Sequence, residues 1–386
     1  MRFSFTAGQP WLAVSYFLYF GTLGVLVPYL SLFLDGRGMS SETIGSLLAI
    51  ITLARIAGPY LWANLADRSG KVLTILQLGS LVACLSFIVI LFLYGFWPLA
   101  LGFSAALLFW SAIMPQLEVI TLNAVDGDSG GYTRIRLWGS IGFILLTILS
   151  GLLVDLFGTE AIMVSCVLIM AALFASSLKL TEPSAPEHHE VKGSLWQKLK
   201  QPLFIGFIAV ACLQQIGLAP YNAFFTLYMK DIGYNGTQTG LLLSVGVLAE
   251  IGIFIIAGRV IGRLGIKRVM QLSLALTVLR WYVLAYHASV PELLIPSQLI
   301  HAASFGLTHA CAIRFIHQYF GRQFQSRGQA LYVSLATGLG AALGNYGAGS
   351  LWQQGTGASL TFEVAMAVVL LAFVIMSLLP RRRLDA

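Results

Sequence analysis

Six ionisable side chains interrupt otherwise apolar runs of this 386-residue sequence: Arg55, Glu118, Arg136, Glu250, Arg280 and His301. An ionised group at the middle of a membrane-spanning helix costs roughly 2.5–3.5 kcal/mol on insertion scales, so each marks a polar cavity or a buried partner. Two chemistries suit these residue types. A carboxylate that alternates between a cation and an apolar wall takes up and releases a proton, because a nearby Arg lowers its pKa while desolvation raises it. Glu250 is the first candidate for that role, and His301, whose unperturbed imidazole titrates at about 6.5, is the second. A fixed ion pair or hydrogen bond between helices is the alternative for each. His309, eight residues beyond His301, is turned about 80° away from it on an α-helix.

The second chemistry is capture of an anion. Arg55, Arg136 and Arg280 face only Glu118 and Glu250, which leaves one positive charge in excess. A guanidinium presents a planar fork matched to a carboxylate. Tyr16, Tyr19, Tyr221 and Trp281 bring aromatic faces into the same runs, so a small aromatic monocarboxylate would use both features; taken singly, each ring is equally explained by packing or by an interfacial belt. Gln214, Asn222 and Gln298 are hydrogen-bonding partners for a substrate or glue between helices. Glu118 and Arg136, 18 residues apart, form either a substrate-binding pair or a salt bridge between two spans. Arg134 faces headgroups or loop carbonyls instead. No nucleophile–base set, phosphate-cradling loop or metal cluster is visible, which argues against an enzyme and against any cofactor. The adjacent His188 and His189 lack further ligands at metal spacing and read as solvated.

The elements that must position these residues follow from composition. Hydrophobic residues make up 58% of the chain and charged ones 10%, with a mean hydropathy of +0.83. That excludes a water-soluble globule. All four cysteines (Cys84, Cys166, Cys212, Cys311) lie in apolar runs, which excludes a disulfide scaffold. At about 20 apolar residues per span, helices are expected near 10–34, 43–63, 72–94, 98–123, 135–157, 159–178, 203–229, 239–261, 269–289, 292–314, 329–353 and 358–379. Arg55, Glu250, Arg280 and His301 then lie roughly halfway along their spans. Of the 23 basic residues, 19 fall on the side of the termini and the loops after even-numbered spans, and only Arg37 and Lys230 in the opposite loops. The positive-inside tendency therefore puts both termini in the cytoplasm, and the net charge of +7 records topology rather than a nucleic-acid partner.

The polar stretch 180–202 reads as a cytoplasmic linker between six spans in 1–179 and six in 203–386. The halves repeat: at an offset of 195, Gly45 meets Gly240, Leu53 meets Leu248, Arg68 meets Arg263 and Gly70 meets Gly265. The same offset matches Arg55 with Glu250. Such repeats mark transporter halves related by pseudo-symmetry, with substrate near the midplane. The expected fold is an all-α membrane protein of twelve transmembrane helices in two pseudo-symmetric six-helix bundles. Pro28, Pro59, Pro115 and Pro220 are expected to mark kinks, and the glycine-dense run 338–349 to mark close helix packing.

The loop ANLADRSGK (63–71) resembles the signature of the major facilitator superfamily in Asp67, Arg68, Gly70 and Lys71, with Ala63 at its first Gly. Its second copy, GRVIGRLGIKR (258–268), keeps Arg263 but has Gly262 in place of the Asp. The resemblance implies gating by Asp67, Arg68, Lys71 and Arg263; anchoring of the loop by its basic residues is the plainer reading. The placement of Glu118, Arg136, Arg280 and His301 is similar to lactose permease and its relatives. There the first two contact substrate and the last two belong to the proton pathway, which implies a proton-coupling role for Arg280. The runs SSETIGSLLA (40–49), RLWGS (136–140) and SVGVLAEI (244–251) resemble the 3-phenylpropionate permease branch. Ser304 stands near a carboxylate position of lactose permease, and Glu250 about one turn from another, so the proton route differs in detail. The resemblance implies a monomer in a bacterial inner membrane that takes up a small organic anion with protons. A sugar or nucleoside symporter, an exporter, and a non-transporting sensor of the same fold are the alternatives.

Overall fold

The computed structural model describes residues 9–126, 128–182 and 196–384. His188 and His189, with most of the expected linker, lie outside them, as do the side chains of Arg55 and Asp67. Every described element is helical: α1 Gln9–Gly36, α2 Ser41–Ser69, α3 Val72–Ile90, α4 Phe96–Trp110, α5 Ile113–Val125, α6 Ser129–Phe157, α7 Ala161–Ser177, α8 Trp196–Leu199, α9 Pro202–Asp231, α10 Gly236–Leu264, α11 Ile266–Tyr286, α12 Pro291–Leu299, α13 Thr308–Tyr332, α14 Ala341–Trp352, α15 Ala358–Leu378 and α16 Arg381–Leu384. Helices satisfy their own backbone groups, as the hydrocarbon requires of segments this apolar. Among the described residues, ten spans are long and apolar enough to cross a membrane. The other two expected places are taken by the 17-residue α7 and by the run that ends in α14.

Three spans depart from simple α-helix. α4 and α5 form one span, Phe96–Val125, broken at Ser111–Ala112. Pro115 accounts for the break, since its ring displaces the carbonyl four residues earlier, that of Ser111. Between α12 and α13 the chain makes a π-helical turn, Ala302–Leu307, and between α13 and α14 another, Val333–Gly340. Two pairs of glycines at the 195-residue offset share a left-handed backbone: Gly38 (φ 78°) with Gly233 (φ 95°), and Gly70 (φ 66°) with Gly265 (φ 84°). Only glycine adopts this conformation without cost, so the repeat reaches into the turns as well as the helices.

Packing gathers the chain into two compact units. The first holds the described residues of 9–39 and 50–182 together with Tyr234–Leu241, the start of α10. Within it α1 packs along α6 and α7, and α3 along α4 and α7. Gly142 of α6 allows the Phe17 carbonyl of α1 to approach where any Cβ would collide. Arg37 closes one end. Its side chain, 3% exposed, pairs with Glu160 at 2.8 Å and donates to the carbonyls of Ile90, Leu91 and Leu93, where α3 ends and the chain turns. Asp155, near the end of α6, accepts from the Gly236 amide (2.6 Å), the Thr237 amide (2.9 Å) and the Thr237 hydroxyl (2.7 Å), capping α10.

The second unit holds Ser40–Ala49, the start of α2, with the described residues of 196–233 and 242–384. α9 packs against α14 and α15, and α11 against α15. In the glycine-dense run, a Cβ on Gly340 would stand 2.9 Å from the Cys212 carbonyl, and one on Gly344 2.5 Å from the Ala219 Cβ, so here glycine serves close packing. Ser41 and Gln354 exchange hydrogen bonds through the Ser41 amide (2.7 Å) and the Gln354 amide (3.0 Å).

Candidate functional site

Among the described residues, the ionisable groups that interrupt apolar runs of the sequence gather in one cluster in each unit. In the first unit, α5 presents Glu118 and α6 presents Arg136, both half-buried. Tyr132, one turn before Arg136 on the same face, donates its hydroxyl to Glu118 Oε1 at 3.3 Å. The Arg136 guanidinium lies 3.9 Å above the Phe20 ring and 5.8 Å from that of Tyr16. Tyr16 is buried and parallel to Phe20, with 4° between the ring planes. Tyr19 stacks on Trp110 at 4.8 Å. Gly139 keeps the space beside the guanidinium open, since a Cβ there would sit 3.0 Å from Arg136 Nη1. The result is a cation on an aromatic bed beside a hydrogen-bonded carboxylate, which can hold an anion or an aromatic group. Phe20 and Tyr132 belong to this cluster, and the sequence reading missed them. The four-residue spacing of Tyr132 from Arg136 was the available signal; nothing in the sequence singles out Phe20 among its apolar neighbours.

In the second unit the cluster centres on Arg280 of α11, which is fully buried. Its Nη1 lies 3.1 Å from His301 Nδ1, its Nη2 donates to Gln298 Oε1 at 3.2 Å, and its plane covers the Tyr221 ring at 3.9 Å. Tyr221 donates to the same Gln298 oxygen at 2.9 Å. On the far side of the imidazole, His301 Nε2 faces Glu250 Oε2 at 3.6 Å, with exposures of 13% and 16%. A guanidinium only donates. Nδ1 must therefore carry the lone pair, and the ring proton resides on Nε2, aimed at the carboxylate. His301 is thus a neutral bridge between a buried cation and an anion. Glycines make room for it: a Cβ on Gly246 would stand 3.2 Å from His301 Cβ, and one on Gly306 3.2 Å from Glu250 Cγ.

Around this bridge, Gln214 donates to the Ser304 carbonyl at 2.7 Å, and the Ser304 hydroxyl turns back to Ile300 O at 3.1 Å. Trp281 is buried between Tyr221 and Phe362, with ring centroids at 6.0 and 5.7 Å. Asn222 is exposed, as are Arg68, Lys71 and Arg263 at their helix ends. One expectation is overturned. The π-helical turn inserts one residue per hydrogen-bonded turn, which takes up about 100° of rotation and leaves His309 only about 20° from His301. His301, Phe305 and His309 form a column of parallel rings rather than diverging.

Apolar spans, glycine turns repeating at one offset and two membrane-embedded charge clusters describe a transporter, and sequence comparison decides which kind: residues 10–364 match the MFS_1 like family. The chain belongs to this family of major facilitators. It is 30% identical to the "Probable 3-phenylpropionic acid transporter" of Escherichia coli (strain K12), covering 89% of this chain and 91% of that protein. It is also 30% identical to a "Maltose permease" of Geobacillus stearothermophilus, over 84% and 83%. A crystal structure of a variant of the nucleoside transporter NupG has the same fold, with a TM-score of 0.85 at 17% identity over 96% and 99% of the two chains. This facilitator is a multi-pass membrane protein and a secondary transporter, not an enzyme.

Proposed function

We propose that this facilitator takes up a small aromatic carboxylate, of which 3-phenylpropionate is the representative, together with protons, by alternating access. It resides in a bacterial inner membrane with both termini in the cytoplasm, the linker 180–202 joining two six-helix bundles. The observation that carries the substrate class is the Arg136 guanidinium lying on Phe20 beside Tyr16. A carboxylate meets the fork of the guanidinium while an aryl group packs on the same aromatic bed. Proton coupling is supported by the Glu250–His301–Arg280 bridge. A proton on Glu250 removes the charge that the Nε2 proton faces, and that change can be tied to rearrangement of the helices carrying these groups. Asp67, Arg68, Lys71 and Arg263 serve as cytoplasmic gating groups in this reading. The maltose permease relative favours a second reading, in which Glu118 and Arg136 bind hydroxyls of a neutral substrate. Labelled 3-phenylpropionate in proteoliposomes separates the two. Uptake that saturates, follows an imposed pH gradient, ignores excess maltose or uridine and is lost in Arg136→Ala supports the carboxylate; competition by either neutral compound, with no phenylpropionate uptake under a working gradient, supports the other.

A further inference from the structure

The stretch 302–308 is buried except at Phe305, which shares its half-buried state with His301 before it and His309 after it. The three rings stack with interplanar angles of 4° and 5° at 5.7 and 6.1 Å, so the two imidazoles lie no more than about 12 Å apart with a phenyl ring between them. Beyond His309 the column continues to Tyr332, 6.2 Å away. The alignment coincides with the π-helical turn Ala302–Leu307, a device frequent at functional sites. Proton transfer needs heavy atoms about 2.6–3.2 Å apart or one bridging water, and a phenyl ring neither donates nor accepts. Phe305 therefore interrupts what would otherwise be a path from one imidazole to the next.

We propose that Phe305 is an apolar gate between two proton stations, Glu250–His301 and His309, and that His309 passes the proton toward Gly321, the non-helical residue that interrupts α13 and ends the apolar span, cytoplasmic in the orientation given above. The inference rests on the proton-coupled reading and adds its exit route. With the Phe305 ring swung aside, the protonated Glu250 gives its proton to a short chain of intervening waters, whose last member gives one to the His309 lone pair. Glu250 returns to the carboxylate, His309 becomes the imidazolium, and bulk water then takes the proton. The groups facing the first station are Arg280 of α11 and Tyr221 of α9. Facing the second is Tyr332, itself near Cys212 of α9 and Cys311. With the ring in place the stations are separate, which is what prevents a coupled transporter from leaking protons.

Proteoliposomes loaded with a pH-sensitive dye test this. Phe305→Ala should admit protons without substrate several-fold faster than the native protein, whereas Phe305→Leu, which keeps an apolar plug, should remain tight. His309→Gln should slow net gradient-driven uptake about tenfold and flatten its dependence on internal pH, while substrate exchange at equal pH, which needs no net proton release and reports correct folding, continues. A tight Phe305→Ala protein, or a His309→Gln protein whose net uptake matches the native rate at every internal pH, overturns the gate. Accumulation that persists in Glu250→Gln overturns the proton-coupled reading and the gate with it; loss in Glu250→Gln with both other variants behaving as native removes the gate alone.

Discussion

Arg136 and Tyr132 divide the work of the first cluster between a charge and a hydroxyl, and the division predicts two different losses. Arg136→Lys keeps the charge but gives up the planar fork and the stacking on Phe20, so the apparent KM for an aromatic carboxylate should rise roughly tenfold, or about 1.4 kcal/mol. Tyr132→Phe leaves Arg136 in place and removes the donor to Glu118. Its effect should be smaller, a few-fold in KM, of the order of one hydrogen bond. Initial rates of labelled uptake against concentration measure both. Glu118, Arg136, Glu250, Arg280 and His301 were legible in the sequence because charge in an apolar run is rare and costly. Phe20 was not, because a phenylalanine among apolar residues carries no mark of what will cross above it. The neutral state of His301 was also invisible, since it depends on which side of the ring meets Arg280.

Helices were legible wherever hydropathy alone sets their extent. The expected 72–94 corresponds to Val72–Ile90, and 203–229 to Pro202–Asp231. The eleventh span, expected as a single run of 329–353, instead passes from the end of α13 through a π-helical turn into α14. Hydropathy does not encode which carbonyl a backbone amide selects, so neither π-helical turn nor the ring column it creates was foreseeable. Arg37 shows the same limit for charge. It counts against the positive-inside bias, yet its guanidinium is committed to Glu160 and three carbonyls at the end of α3. Arg37→Ala would remove the donor those carbonyls share and the Glu160 pair with it, and should cost about 2 kcal/mol. A lowered thermal midpoint in detergent, with uptake by the surviving protein near native, is the expected result.

At the scale of the whole molecule, the 195-residue repeat and the compact units cut the chain differently at two helix starts. Residues 41–49 of α2 cluster with the second unit, and Gly236–Leu241 of α10 with the first, where Asp155 caps them. Asp155→Ala should speed amide hydrogen exchange at 236–239, and Asp155→Asn, which keeps one accepting oxygen of the two, should restore only part of the protection. The exchange of helix starts also bears on biogenesis. A polypeptide ending at residue 182 is made first, yet its compact unit is completed only when the start of α10 emerges from the ribosome, and it meanwhile carries a helix start that belongs to the later unit. Two fragments divided within 183–195 and expressed together should therefore be recovered as one complex through a tag on either. Each expressed alone should be cleared by membrane proteases, as an unfinished half rather than a domain.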